Sequence, residues 1–176
     1  MIEIKPKIEE IEYLKNRYNP VIRSFSWEFP NIEMPHPKKG RVASVVLVIV
    51  NKNRFIMIKK HYAHWGFPVG DVIEEQVEQA VHREAKNLGF EVEIENMPAI
   101  NIIEMKFKNY STRTWYFVFK CKTNARDEDI KIDKAKIEDM RFFSGWDFFF
   151  DINPLSFSEW AYNWTKTVLK DVNIIE

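Results

Sequence analysis

The sequence predicts a layered α/β/α sandwich around a mixed sheet, or an α+β arrangement of the same elements. Three observations point there. Residues 42–50 form an almost wholly apolar, largely β-branched run, and a second run at 54–60 follows after Asn51-Lys52-Asn53. Residues 75–88 carry apolar side chains at helical spacing and end at Gly89. Further strand-like runs and one more helical stretch complete the chain, so strands outnumber helices and hairpins make most of the connections.

Taken in order, residues 7–18 place Ile8, Ile11, Leu14 and Tyr18 at helical spacing behind Pro6, a position where proline is tolerated. Such a stripe is too short to stand alone in water, so the helix is expected to pack on the remainder of the chain. Residues 19–40 hold Pro20, Pro30, Pro35 and Pro37, which break helices and favour an irregular connector. Within it Phe25, Trp27 and Phe29 alternate, which suits a short edge strand. The runs at 41–50 and 54–60 should pair as a hairpin, because the asparagines between them accept the left-handed backbone of a tight turn. A loop over 61–71 leads to the helix at 75–88, and Gly89 suits a left-handed cap. Strands are expected at 90–94, 99–107, 112–122 and 138–143, a polar stretch at 123–129, and a final helix at 156–169. Phe142, Phe143, Trp146 and residues 148–150 read as packing between the last strand and that helix. The division this implies is residues 1–40 as an amino-terminal helix and connector, and 41–176 as the domain proper.

Composition narrows the function. A chain of 176 residues suits one globular domain with terminal extensions. Its 26 basic residues balance 26 acidic ones, so any nucleic-acid contact would need a local patch. The single cysteine, Cys121, rules out an internal disulfide and fits a reducing cytoplasmic setting. The charged amino terminus lacks the apolar core of a signal peptide, and residues 42–50 are too few to span a bilayer as a helix.

The chemistry concentrates on the helix at 75–88. On a wheel of about 100° per residue, Val77, Ala80, Val81 and Leu88 fall within roughly 60° of Glu84. A carboxylate on a core-facing arc must be paired, hydrogen-bonded or bound to a cation, because an isolated buried charge costs several kcal/mol. Glu84 is therefore either one half of a salt bridge or a metal or catalytic group. Glu75, Glu78, His82 and Lys86 fall on the opposite side, where a solvated stripe is the ordinary outcome. His61 and His64 make an H-x-x-H pair whose spacing fits no complete ligand set, so a surface loop is the better reading.

The context of Glu84 is Trp65-Gly66-Phe67-Pro68-Val69-Gly70, then Glu75, Arg83-Glu84-Ala85 and Leu88-Gly89-Phe90. It resembles the signature of the Nudix (MutT-like) family, in which a Pro-Gly-Gly loop leads into G-x5-E-x7-R-E-U-x-E-E-x-G-U. The resemblance covers some 25 residues directly, and it implies a Nudix-type α/β/α sandwich with a mixed sheet and a loop-helix-loop motif. It also implies hydrolysis of a nucleoside diphosphate linked to another group, with divalent metal ions. Glu75, Arg83 and Glu84 meet the E-x7-R-E spacing and are the implied catalytic group. Two departures follow. Val69 replaces a glycine and the interval from Gly70 to Glu75 is one residue short, so Gln76 competes with Glu75 for the acidic position. The Glu-Glu pair that holds magnesium is replaced by Lys86-Asn87-Leu88, again one residue short.

A magnesium or manganese ion (Mg2+ or Mn2+) would then rely on Glu84, on Asn87 and on a carboxylate from elsewhere. Glu138, just before the last strand, is the first candidate, ahead of Asp127, Glu128, Asp129, Glu104 and Glu74. Arg41, Lys59, Trp65, Phe67 and Gly70 lie where phosphate or base contacts would be expected. Three function classes follow: a diphosphate hydrolase weakened by the missing pair, a non-catalytic sensor of a nucleotide-derived small molecule, or an RNA- or protein-interaction module on a degenerate scaffold. A homodimer is compatible with each of them, because specificity loops in this family often meet at a dimer interface.

Overall fold

Among the residues that the computed structural model describes, 1–61, 64–151 and 158–176, nine strands join one mixed sheet. Chain order is β1 (Ile2–Ile4), α1 (Ile8–Tyr18), β2 (Val21–Phe29), β3 (Arg41–Asn51), β4 (Arg54–Lys59), β5 (Trp65–Gly66) and β6 (Val69–Ile73). Then come α2 (Val77–Asn87), β7 (Glu93–Phe107), β8 (Ser111–Lys122), β9 (Asp139–Ser144), α3 (Asp147–Asp151) and α4 (Glu159–Asp171). The path β2-β7-β8-β3-β4-β5 forms the backbone of the sheet, with β1 on β8, β6 on β3 and β9 on β4.

The alternation in β3 creates the layers. Val45, Leu47 and Ile49 enter a core shared with Ile11 and Leu14 of α1 and with Val77, Ala80, Val81 and Ala85 of α2. Val46, Val48 and Val50 point the other way, into a core with Val168 and Leu169 of α4, Val172 just after it, and Phe148 of α3. Such a run reads as continuously apolar because both faces are covered. The α/β/α sandwich expected from the sequence is therefore present, with α1 and α2 on one face and α3 and α4 on the other.

Several local expectations change. The hairpin turn places Lys52, not its asparagine neighbours, in the left-handed region (φ 58°). Only the turn-proximal pairs Val50–Phe55 and Asn51–Arg54 are made between β3 and β4. Beyond them β3 turns to β6 and β4 to β5, so the hairpin opens into a V at the mouth of which β6 lies. The strands expected at 90–94 and 99–107 become one strand from Glu93, with irregularities at Asn96 that accommodate Pro98, which cannot donate to a ladder. The edge strand in the connector is longer than foreseen, nine residues parallel to β7. Asn109 and Tyr110 then tie the following residues down, the Asn109 amide bridging Met34 N–H and C=O, and the Tyr110 hydroxyl donating to Pro35 O at 2.6 Å.

Ile8 is 65% exposed, so the apolar stripe of α1 begins at Ile11. Gly89 takes the left-handed cap after α2 (φ 86°), as its position suggested. The sequence-based start of the last helix, Ser156, lies outside the described residues; α4 begins at Glu159. Phe143 and Phe148 do pack beneath α4, whereas Phe142 faces the α2 side beside Phe90 and Phe150 is 82% exposed. No described helix is long and apolar enough to cross a membrane.

Candidate functional site

β6 runs antiparallel to β3, with Gly70 opposite Val45 and Asp71 opposite Ser44. Val72 joins the core beneath α2, so Gly70, two residues earlier on the strand, faces α2 as well. Glu84 sits on that contact. A Cβ on Gly70 would overlap Cγ and Cδ of Glu84 and stand 2.7 Å from its Oε1. Glycine is needed at this position because a carboxylate side chain occupies the space a methyl would fill. The Glu84 side chain keeps 22% of its surface, so it is neither sealed in the core nor free in water.

Arg83 organises the loop between β6 and α2. Its Nε donates to Glu75 Oε1 at 3.0 Å, and Nη2 donates to the same oxygen at 2.6 Å and to the backbone carbonyl of Asp71 at 2.7 Å. Nη1 donates to Glu84 Oε1. The carboxylates, Glu75 foremost, raise the guanidinium pKa above its ordinary value. Glu75, not Gln76, is therefore the acid opposite Arg83, while Gln76 caps α2 in a reciprocal bond with Gln79. The turn between strand and helix is made by Glu74, a non-glycine residue at φ 52°.

The stripe expected to be solvated divides in two. His82 and Lys86 are exposed. Glu75 and Glu78 retain only 20% and 24% of their side-chain surface. Glu75 is covered by Arg83 folding back onto it, and Glu78 by α1, which a helical wheel of α2 cannot show. Glu10 of α1 accepts from Val77 N–H at 2.6 Å, satisfying a donor at the start of α2, and the Tyr18 hydroxyl donates to Glu78 at 2.9 Å. Burial first, and then the Glu78 carboxylate, push the Tyr18 phenol up to about 12, so it remains a donor at neutral pH.

Each residue assigned to ligand contact has a partner within the chain. Arg41 Nη2 donates to Ser44 Oγ at 2.7 Å, and its Nε lies 2.9 Å from Asp71 Oδ1 as an ion pair, without the alignment of a hydrogen bond. Lys59 donates to Glu138 at 2.7 Å. Trp65 lies under the guanidinium of Arg141 at 5.4 Å and edge-on to Phe143. Phe67 is buried between Phe55 and Trp164. His61 bonds through Nε2 to the Lys134 carbonyl at 2.7 Å.

The donor set for a metal can be judged on the same basis. Glu84 Oε1 is shared with Arg83, Asn87 is exposed at the end of α2, and Glu138 is paired with Lys59. Asp127 and Glu104 are paired with Arg54 and Arg113. Among the described residues no three of His, Cys, Asp and Glu converge. That falls short of the hard-oxygen shell that magnesium prefers. A cleft of about 1040 Å3 does lie between α1 and the start of α2, but Glu9, Glu10, Glu74, Glu75 and Glu78 line it and Glu84 does not. Its charge disfavours a bare diphosphate.

Sequence reasoning missed Asp71, Tyr116 and Asn101. Asp71 holds Arg41 and, at 3.5 Å, Lys38. Tyr116, opposite Ser44, interacts with Arg41; burial drives its phenol pKa upward while Arg41 pulls it down. Asn101 is fully buried and neither atom of its amide has a partner, an arrangement that costs about 1–3 kcal/mol. Alternation gave a usable signal, since Asn101 shares its strand face with the apolar Ala99 and Ile103.

Comparison with known proteins supports the fold more than the family. No family model matches the sequence, and no curated protein matches it in sequence. Solved structures do match. A Nudix hydrolase from Nitrosomonas europaea superposes with a TM-score of 0.55 at 17% identity, covering 77% of this chain and 89% of that one. A MutT Nudix hydrolase from Burkholderia pseudomallei gives 0.51 at 19% identity, covering 77% and 99%. A UDP-X diphosphatase gives 0.50 at 15% identity, covering 94% and 72%. A mixed sheet between helical layers, with the β6 strand, its turn and α2 forming the loop-helix-loop unit, gives this chain the fold of the Nudix hydrolases.

Proposed function

We propose that the chain acts on a nucleoside-diphosphate-linked small molecule at the β6–α2 site, and that any hydrolysis of the diphosphate bond is slow. The observation that carries this reading is Glu84, a carboxylate seated against Gly70 and held by Arg83 where β6, its loop and α2 meet. Because the described residues do not supply a full set of ligands, the phosphates of the ligand itself would have to complete the shell of any magnesium or manganese ion. The residues of this chain orient that chemistry: Arg83 fixes the loop through the Asp71 carbonyl, and Glu84 presents the carboxylate. Asn87, three residues on from Glu84, is the position from which a second acid would reach the same point.

A second reading, a non-catalytic sensor of the same ligand class, draws support from the engagement of both Glu75 and Glu84 by one arginine. An RNA- or protein-interaction role has less behind it, since the formal net charge is +0. Homodimer formation and a cytoplasmic setting belong to the same proposal.

Asn87→Glu is expected to tighten magnesium or manganese binding and to raise phosphate release from a panel of nucleoside diphosphate derivatives, and Glu84→Gln to remove both. Calorimetry and product assays read these outcomes. Turnover by the unmodified chain at ordinary enzyme rates, roughly one to a thousand per second, would contradict the slow-hydrolysis reading. Ligand binding without turnover in either protein would favour the sensor.

A further inference from the structure

The strand at one end of the sheet is open along its outer side. β2 has nine residues, and its only strand partner among the described residues is β7. Unpaired edges of this kind recruit further strands, and soluble chains guard them with lysines, prolines, bulges or short length. β9, at the other end, is guarded: it has six residues, and Asp139 and Arg141 stand on it as an ion pair. β2 carries none of these guards. Pro20 and Pro30 flank it without entering it, its register with β7 runs unbroken, and it holds no lysine. Its two charges are already neutralised within the chain, Arg23 by Asp171 of α4 at 2.7 Å and Glu28 by Lys106 at 2.7 Å.

The side chains of β2 fall into two rows. Arg23, Phe25, Trp27 and Phe29 are half-buried on the face covered by α4, where the ring of Trp160 lies 4.4 Å from that of Trp27 and 5.7 Å from that of Phe29. Trp160 itself is 37% exposed. Ile22, Ser24, Ser26 and Glu28 make up the other row and are exposed, as is Val21 at the start of the strand. Apolar surface therefore borders the open main chain on both faces.

We propose that β2 pairs antiparallel with β2 of a second copy, across a two-fold axis perpendicular to the sheet, so that the two sheets run on as one. Such an axis keeps the faces aligned only when opposed residues have the same parity, and full overlap sets Phe25 against its own copy. Val21 then faces Phe29 of the second copy, Ile22 faces Glu28, Arg23 faces Trp27, and Ser24 faces Ser26. No like charges are opposed, and an arginine lies beside an indole, a favourable pair. Overlap of nine residues yields about eight main-chain hydrogen bonds between the copies, within the complement of roughly 5–15 that a specific interface carries. The inference rests on the homodimer included in the proposed function and adds the surface that forms it; it does not depend on the ligand.

The opposed serines test this pairing in the full chain, by sedimentation equilibrium over a range of concentrations. The unmodified protein is expected at twice the chain mass at micromolar concentration. Ser24→Lys with Ser26→Lys sets lysine against lysine on both sides of the axis and should raise the dimer dissociation constant roughly tenfold or more. Ser24→Glu with Ser26→Lys sets glutamate against lysine and should leave the dimer intact. Both side chains are exposed, so circular dichroism should show one fold in all three proteins. Ile22→Glu, which faces Glu28, is a further variant that should weaken the dimer, whereas Ile22→Lys should not. An unmodified chain that stays monomeric leaves this edge to a strand of another protein; it overturns the inference and the homodimer reading, while the ligand reading at Glu84 stands. A dimer indifferent to all four variants lies on another surface and overturns the inference alone. Loss of the dimer in the glutamate–lysine variant as well would overturn the register, and the inference with it.

Discussion

Gly70→Ala is expected to lower stability by about 1–3 kcal/mol, the usual cost of forcing a methyl into filled space. For a chain of 176 residues that corresponds to a fall in Tm of roughly 2–12 °C. The added Cβ would meet Cγ and Cδ of Glu84, not the flexible end of the side chain, so Glu84 must leave its rotamer. It is also tethered to Arg83, which holds Glu75 and the Asp71 carbonyl, so the strain would spread into the loop. Thermal melts of Gly70→Ala, Glu84→Ala and the double variant check the cause. The double variant should be more stable than the sum of the singles by on the order of 1 kcal/mol. Strict additivity would show that Glu84 does not occupy this space.

Arg83→Met is expected to cost about 2 kcal/mol. Breaking an ion pair within a fully buried site costs roughly 3–5 kcal/mol, and the value is discounted because the Arg83 side chain is 39% exposed. The loss leaves two carboxylates and a backbone carbonyl without their donor. Glu75→Gln in the same background should recover part of the stability by relieving repulsion between the acids. Denaturant titration measures both; an unchanged midpoint in Arg83→Met would place the loop under the control of some other contact.

The layers of this fold were legible because β3 and α2 carry strong periodic signals of different period. The wheel set Glu84 among Val77, Ala80, Val81 and Leu88, of which the first three are buried and Leu88 partly so. Glu78 was misread because its partner Tyr18 comes from α1, more than 50 residues earlier in the chain, and Glu75 because Arg83 reaches back to it. Ile8 was misread for the complementary reason: stripe membership does not say where the partner surface ends. β1 is three residues long, and its pairing with Thr112, Arg113 and Thr114 has no local signature. Asp71, Tyr116 and Asn101 acquire meaning only through register across strands, which one sequence does not specify.

Calorimetric titration of ADP or UDP with manganese into the unmodified chain and into Glu84→Gln tests most directly whether the β6–α2 junction is the ligand site. The substitution preserves volume and the loop contacts of Glu75, so the melting temperature should change little. Binding in the unmodified chain and a loss of roughly tenfold or more in Glu84→Gln is the predicted result, the scale of one charge-assisted interaction. Equal affinity in the two proteins would contradict the assignment of the site to Glu84.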